Sequence, residues 1–356
     1  MPLHNLLEQN KPLAPFTTLG VGGPARWFFE AKTEPEVTEA AAWAHDKRVK
    51  LFVLGGGSNL VVSDAGFDGL VLHVALHGIA VEDQGDNSGQ RRFRAAAGED
   101  WDSFVARTIE EDCAGLECLA GIPGTVGGTP VQNVGAYGQE VSSTIERVRA
   151  FDLCQMHWVE FTPAECAFAY RRSRFNTVDR GKYVVTRVDY VLTKGGAPTL
   201  SYADLRRTFA ADALPSLAEV AAAVRRIRQS KGMLLIEGDP DCRSAGSFFK
   251  NPVVAEELAE RIAQTSGNEP PRFAVGDPGK VKIPAAWLIE QAGFAKGFAM
   301  GGAGISSRHT LALINRGEGT AGEILALAHE IRSAVQSRFD ISLEIEPVLV
   351  GIAPDG

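Results

Sequence analysis

The chain is poor in the residues that build disulfide scaffolds and metal centres. It has five cysteines in 356 residues, an odd number, and no Cys-x-x-Cys pair. That argues against a disulfide framework or a zinc site and fits a reducing cytoplasm. The seven histidines show no metal-ligand spacing, so no metal is expected. No run approaches the roughly 18 apolar residues of a membrane span. The opening MPLHNLLEQNKPLAP lacks the apolar core of a targeting signal, so no export is expected. Positive charge is in deficit, with 36 Lys and Arg against 44 Asp and Glu and a net charge of −8. This disfavours a nucleic-acid partner. Anionic ligands stay possible, because local amides and a few cations bind them. There is no internal repeat and no low-complexity tract. What remains is a soluble, cytoplasmic globular protein, expected to be a monomer, with 45% hydrophobic and 22% charged residues.

What the chain has is glycine, concentrated in two places. Residues 121–138 read GIPGTVGGTPVQNVGAYG, with glycine at 121, 124, 127, 128, 135 and 138. Glycine allows φ > 0 and removes the Cβ, so a ligand can rest on peptide N–H groups. Pro123, Pro130 and the apolar Ile122, Val126, Val131 and Val134 predict a rigid wall, with Gln132, Asn133 and Tyr137 as polar handles. The second segment, GGGSN at 55–59, runs from the strand Lys50–Leu54 directly into Leu60–Val62. A dinucleotide fingerprint would instead open a helix. Two such segments can hold the two ends of a dinucleotide, with amides on its pyrophosphate.

The remaining pattern is mixed. Ala25–Glu30, a helix over Pro35–Lys47 and Lys50–Leu54 read as a βαβ unit with a parallel strand pair. Trp101–Asp112 is a helix with Trp101, Phe104, Val105 and Ile109 inward, after a strand over Arg91–Ala97. Strands follow at Arg147–Leu153, His157–Phe161 and Tyr183–Leu192. Ser216 with Glu219 and Thr320 with Glu323 are capping boxes for two further helices. Residues 194–216 are a candidate boundary.

Three more segments carry candidate chemistry. Tyr170–Phe175, YRRSRF, holds Arg171, Arg172 and Arg174, either a guanidinium site for a carboxylate or phosphate or a solvated basic strand. Ser247, in SAGSFFKNP, either donates a proton or caps a turn. In LEIEPVLVG, alternation puts Leu343 and Ile345 on one face and Glu344 and Glu346 on the other. One of these acids either faces a cleft or is solvated.

In their order along the chain these segments resemble the UDP-N-acetylenolpyruvoylglucosamine reductases of bacterial cell-wall precursor synthesis. The matching stretches are FTTLGVGGPARWF (16–28), VLGGGSNLVVSD (53–64), GLECLAGIPGTVGGTPVQNVGAYGQEV (115–141), CAFAYRRSRF (166–175), AGSFFKNP (245–252), AAWLIEQAGFAKG (285–297), ISSRHTLALINRG (305–317) and LEIEP (343–347). They span nearly the whole chain. Tyr202, in LSYADL, matches the mobile-loop tyrosine of the longer subclass.

The resemblance implies an α+β fold. A two-subdomain FAD-binding fold of the vanillyl-alcohol-oxidase (PCMH) type would precede a C-terminal α+β substrate-binding domain. The implied domains are 1–75 and 76–215 for the FAD-binding subdomains, 216–340 for substrate, and 341–356 for a returning C-terminal strand. It implies bound FAD, NADPH as hydride source, and reduction of the enolpyruvyl ether of a nucleotide sugar to UDP-N-acetylmuramate. Hydride would pass from flavin N5 to C3 and a proton to C2. By position, Arg171 matches the enolate-stabilising arginine, Ser247 the proton donor and Glu346 the catalytic glutamate. Glu346 is preferred to Glu344 by a gap-free alignment to Gly351. Tyr202, Lys231, Asn251 and Gln291 match substrate-contacting positions, and Tyr170 is assigned with them. FAD is expected on Gly55, Gly56, Gly57, Ser58 and Asn59, and on Gly121, Pro123, Gly124, Thr125, Gly127, Gly128, Gln132, Asn133, Gly135 and Ala136. The alternative is an FAD-dependent alcohol or sugar oxidase of the same fold. Such oxidases often tether flavin through a histidine in the first glycine loop, and GGGSN has none.

Overall fold

A computed structural model describes residues 3–83, 85, 89–210 and 212–353. Residue 211 of the candidate boundary and the extreme ends of the expected domain spans lie outside these. The chain forms two compact units, each built from separated segments.

The first unit holds residues 1–11, 25–57 and 68–228. One of its sheets has four strands in the order Glu8–Pro12, Pro24–Ala31, Phe67–Val74, Leu51–Leu54. The helix Glu34–Asp46 starts at a Thr33–Glu36 capping box and buries Val37, Ala40, Ala41 and Ala44. The expected βαβ strands therefore share a sheet but are not neighbours. Phe67–Val74 lies between them and pairs in parallel with Leu51–Leu54. Its Leu70, Val71 and Leu72 are wholly buried, which makes it the better central strand.

The second sheet of this unit is antiparallel. Its order is His157–Phe161, Ile145–Asp152, Tyr183–Lys194, Gln90–Ala96, Ile79–Asp83. The helix Trp101–Glu110, capped by Asp100 on Ser103 N at 2.8 Å, packs Trp101 and Phe104 against Tyr190. This aromatic core fixes the glycine-rich wall. Trp101 Nε1 donates to Leu119 O at 3.1 Å, and the Tyr190 and Thr129 hydroxyls meet at 2.7 Å. Backbone bonds from Val126 N to Glu99 O and Gly127 N to Ala97 O complete the seam, both at 2.9 Å.

The first unit runs through the helix Leu217–Ser230 as far as Arg228, past the boundary expected at 216. The reason is packing: Val220, Ala223 and Val224 share a buried cluster with Cys118, Tyr137 and Leu205.

The second unit holds residues 12–24, 58–67 and 229–356. Its long helix Ala321–Phe339 has the Thr320–Glu323 capping box and buries Ile324, Leu327, Ala328, Ile331 and Val335. Asp64 adds a second cap, accepting from Ala321 N at 2.8 Å and Gly322 N at 2.9 Å. Val348–Val350 pairs in parallel with Leu60–Val62. The expected strand from Leu343 is regular only over this last part. Ile345 makes one isolated bridge to Phe249.

Candidate active site

In the first unit the two glycine-rich segments touch. A Cβ on Gly56 would lie 2.6 Å from Gly124 Cα, and one on Gly55 would lie 3.0 Å from Thr125 Oγ1. A Cβ on Gly127 would lie 2.6 Å from that of Ala97. Gly57, Gly121 and Gly124 have φ of +62°, +73° and +133°. Thr125 Oγ1 is buried with no hydrogen-bond partner among the described residues. Gly128 is exposed with open space where a side chain would be. Pro123 and Gln132 are half-buried. Gly135 and Ala136 form a short hairpin strand against Gln139–Glu140. Asn133 is different: its side chain is 1% exposed and bonded to Glu140, Ala169 and Ser142 N. Both amide hydrogens are committed within the protein.

A buried cation lies behind this wall. Arg228 donates from Nε to Gly121 O at 2.9 Å, and burial holds its pKa below the usual arginine value. Asp102 accepts from Gly121 N at 2.6 Å and from Arg225 at 2.7 Å. Arg171 and Tyr170 form the tip of a turn between Ala169 and Arg172, with the guanidinium carbon 5.4 Å from the Tyr170 ring centre. The segment is therefore a turn and not a basic strand. Tyr202 is 42% exposed and stands edge-to-face with Tyr137, ring centres 5.3 Å apart. The chain leading to Tyr202 is held by Glu117, which accepts from Thr199 N at 2.8 Å and from Gln139 at 2.7 Å.

In the second unit four matched segments meet. Thr18 Oγ1 donates to Ser244 O at 2.7 Å and lies 3.4 Å from Ser58 O. Asn59 O accepts from Val348 N, and Asn59 Nδ2 donates to Glu346 O at 3.4 Å. Ser247 follows Gly246, whose φ is +73°, and precedes the buried Phe248 and Phe249. Its hydroxyl has no hydrogen-bond partner among the described residues. Glu346 N donates to Phe248 O at 2.9 Å, so serine and glutamate sit on paired segments. Glu344 points away: it is 70% exposed and bonded to Lys250 at 2.5 Å. Asn251 Oδ1 caps the helix Ala285–Gln291 through Ala285 N at 2.9 Å, and Gln291 Oε1 accepts from Asn268 at 3.3 Å. Lys231 is half-buried beside His309, whose pKa is pushed down to about 4 by burial and by Lys231 and Lys296.

Comparison with known proteins decides what this arrangement belongs to. Residues 25–155 match a family described as an FAD binding domain. Residues 239–350 match the C-terminal domain of UDP-N-acetylenolpyruvoylglucosamine reductase. A curated protein of that name from Streptomyces coelicolor is 47% identical, over 96% of this chain and 90% of its own. One from Thermobifida fusca is also 47% identical, over 97% and 98%. The crystal structure of the Thermus caldophilus reductase superposes with a TM-score of 0.66 at 27% identity, covering 97% of this chain and 98% of that one. The chain belongs to the UDP-N-acetylenolpyruvoylglucosamine reductase family.

For a reductase of this family the wall fits FAD on two counts visible in the structure. The Cβ-free contact of Gly55 and Gly56 with Gly124 and Thr125 makes a cradle of bare backbone, and Thr125 keeps an unspent buried hydroxyl inside it. Sequence reasoning missed Arg228 and His309. Arg228 had a signal: it falls on the apolar face set by Leu217, Val220, Ala221 and Val224, where an arginine must find a buried partner. His309 had none, because its lysine neighbours are distant in sequence.

Proposed function

We propose that this chain reduces UDP-N-acetylglucosamine enolpyruvate to UDP-N-acetylmuramate through Arg171, Ser247 and Glu346, as a member of the longer subclass. FAD held by the two glycine-rich segments would supply the redox chemistry, the passage of a hydride equivalent from NADPH to C3 of the substrate. The residues of the chain handle the charge and the proton. Hydride addition leaves negative charge at C2, delocalised into the substrate carboxylate. Arg171 stabilises that charge with a planar pair of N–H donors. Glu346 hydrogen-bonds the same carboxylate, which requires one shared proton between them. Ser247 then protonates C2. A hydroxyl is a weak acid, but a carbanion-like centre is basic enough to take its proton. Tyr202, Lys231, Asn251, Gln291 and Tyr170 bind the nucleotide sugar. That remote binding energy orients the double bond.

The observation that carries this reading is the state of Ser247. Its hydroxyl has no partner among the described residues, it lies between Gly246 at positive φ and the buried Phe248, and its segment pairs with that of Glu346. A structural turn cap would be bonded. Ser247→Ala is expected to leave flavin reduction by NADPH near normal and to slow reoxidation by the enolpyruvyl substrate by about 10²–10⁴-fold. Stopped-flow absorbance separates the two half-reactions, and near-normal reoxidation would remove Ser247 from the mechanism. We further propose a monomer working in the cytoplasm, where its five free thiols are stable.

A further inference from the structure

Arg171 occupies a backbone position that arginine rarely adopts. Ala169 and Arg172 exchange both main-chain bonds, Ala169 N to Arg172 O at 2.9 Å and Arg172 N to Ala169 O at 3.0 Å. Tyr170 and Arg171 form the tip of this tight turn. Arg171 has φ of +55°, while Tyr170 stays at negative φ. That is the pattern of a type II turn, whose third position normally goes to glycine or asparagine. An arginine there persists only if its surroundings hold it.

Three polar side chains do so. Asn176 Nδ2 donates to the Arg171 carbonyl at 3.1 Å, and Asn176 Oδ1 accepts from Ser173 N at 2.9 Å. Ser173 Oγ donates to Val131 O at 2.5 Å and accepts from Phe175 N at 3.1 Å. Asn133 Nδ2 donates to Ala169 O at 3.2 Å, at the base of the same turn. Asn133 is itself fixed by Glu140 at 2.8 Å and Ser142 N at 3.2 Å. Asn133 and Ser173 are each only 1% exposed. Val131 and Asn133 belong to the glycine-rich wall. The turn is thus clamped to the wall at two points and braced from its own C-terminal side at a third.

We propose that Asn133, Ser173 and Asn176 are positioning residues for Arg171, clamping the turn that carries it to the glycine-rich wall in one fixed geometry. This rests on the reading of Arg171 as the group that stabilises charge on the substrate. Such stabilisation depends on donors already in place, and a displacement of about 1 Å can cost about 10²-fold in rate.

Asn176→Asp tests this on the full chain with FAD bound. Aspartate keeps the acceptor for Ser173 N but loses the donor to the Arg171 carbonyl. Flavin reoxidation by the enolpyruvyl substrate should slow by about 10- to 10²-fold. Flavin reduction by NADPH, FAD content and Tm should stay near those of the parent protein. The same substitution in an Arg171→Ala background should cause no further slowing, because Asn176 acts only through Arg171. A second pair keeps the test open if Asn176→Asp does not fold. Ser173→Thr retains the hydroxyl and should keep most of the reoxidation rate that Ser173→Ala loses. Full additivity with Arg171→Ala, or parent-like reoxidation in both Asn176→Asp and Ser173→Ala while Arg171→Ala is crippled, overturns the positioning role alone. Normal reoxidation in Arg171→Ala overturns the reading of Arg171 and the positioning role with it.

Discussion

Four non-glycine residues of the matched motifs, Asn133, Tyr137, Ala167 and Arg171, sit at φ of +47°, +49°, +50° and +55°. Each such position costs about 1–3 kcal/mol and persists where the surroundings over-determine it. His309 shows a different kind of cost. Its imidazole is kept neutral by burial and by Lys231 and Lys296, with Glu290 opposing, so its pKa is pushed down to about 4 from an ordinary 6.5. The unfolded chain therefore binds a proton below pH 6.5 that the folded chain refuses until about pH 4. Stability from this group is complete above pH 6.5 and is lost as pH falls towards 4. His309→Gln is expected to remove up to about 3 kcal/mol of that acid-side loss. Urea unfolding at pH 7 and pH 4.5 measures it, and an unchanged pH difference would contradict it. The sequence marked Ser247 and Arg171 only through motifs. Their surroundings, including the clamp on Arg171, join residues 36 and 42 positions apart, a separation that no periodicity reports.

At the scale of elements, periodicity was a good guide wherever one face packs on a core. The helices at Glu34–Asp46, Trp101–Glu110 and Ala321–Phe339 follow their apolar stripes, and both expected capping boxes form. It was a poor guide to order within a sheet, where Phe67–Val74 separates the two strands expected to pair. The glycine-rich wall has little regular structure beyond a 3-10 turn at Val126–Gly128 and the short strand Gly135–Ala136, and is held by its contacts. Gly56→Ala tests this, because a Cβ there meets Gly124 Cα at 2.6 Å and backbone must move. The expected loss is about 1–3 kcal/mol of stability, together with a lower flavin-to-protein absorbance ratio after purification. A variant with parent-like flavin content and Tm would show that the two glycine segments need not touch.

For the whole molecule, the chain divides between two compact units, and each is assembled from segments far apart in sequence. The monomer proposal belongs at this scale. Sedimentation equilibrium should return the mass of one chain at micromolar concentration, and the mass of two would overturn it. No described helix is long and apolar enough to cross a membrane. The sequence by itself determined the family, the α+β class and the chemistry-bearing segments, because glycine spacing, capping boxes and apolar stripes are local and leave local marks. Only the tertiary structure decided which of those residues are free to act. It committed the Asn133 amide to the protein, turned Glu344 out to Lys250, left the Ser247 hydroxyl without a partner among the described residues, and put Arg228 behind Gly121. Those outcomes follow from burial and from hydrogen bonds between distant segments, whose partners are chosen by packing and not by neighbours in the chain.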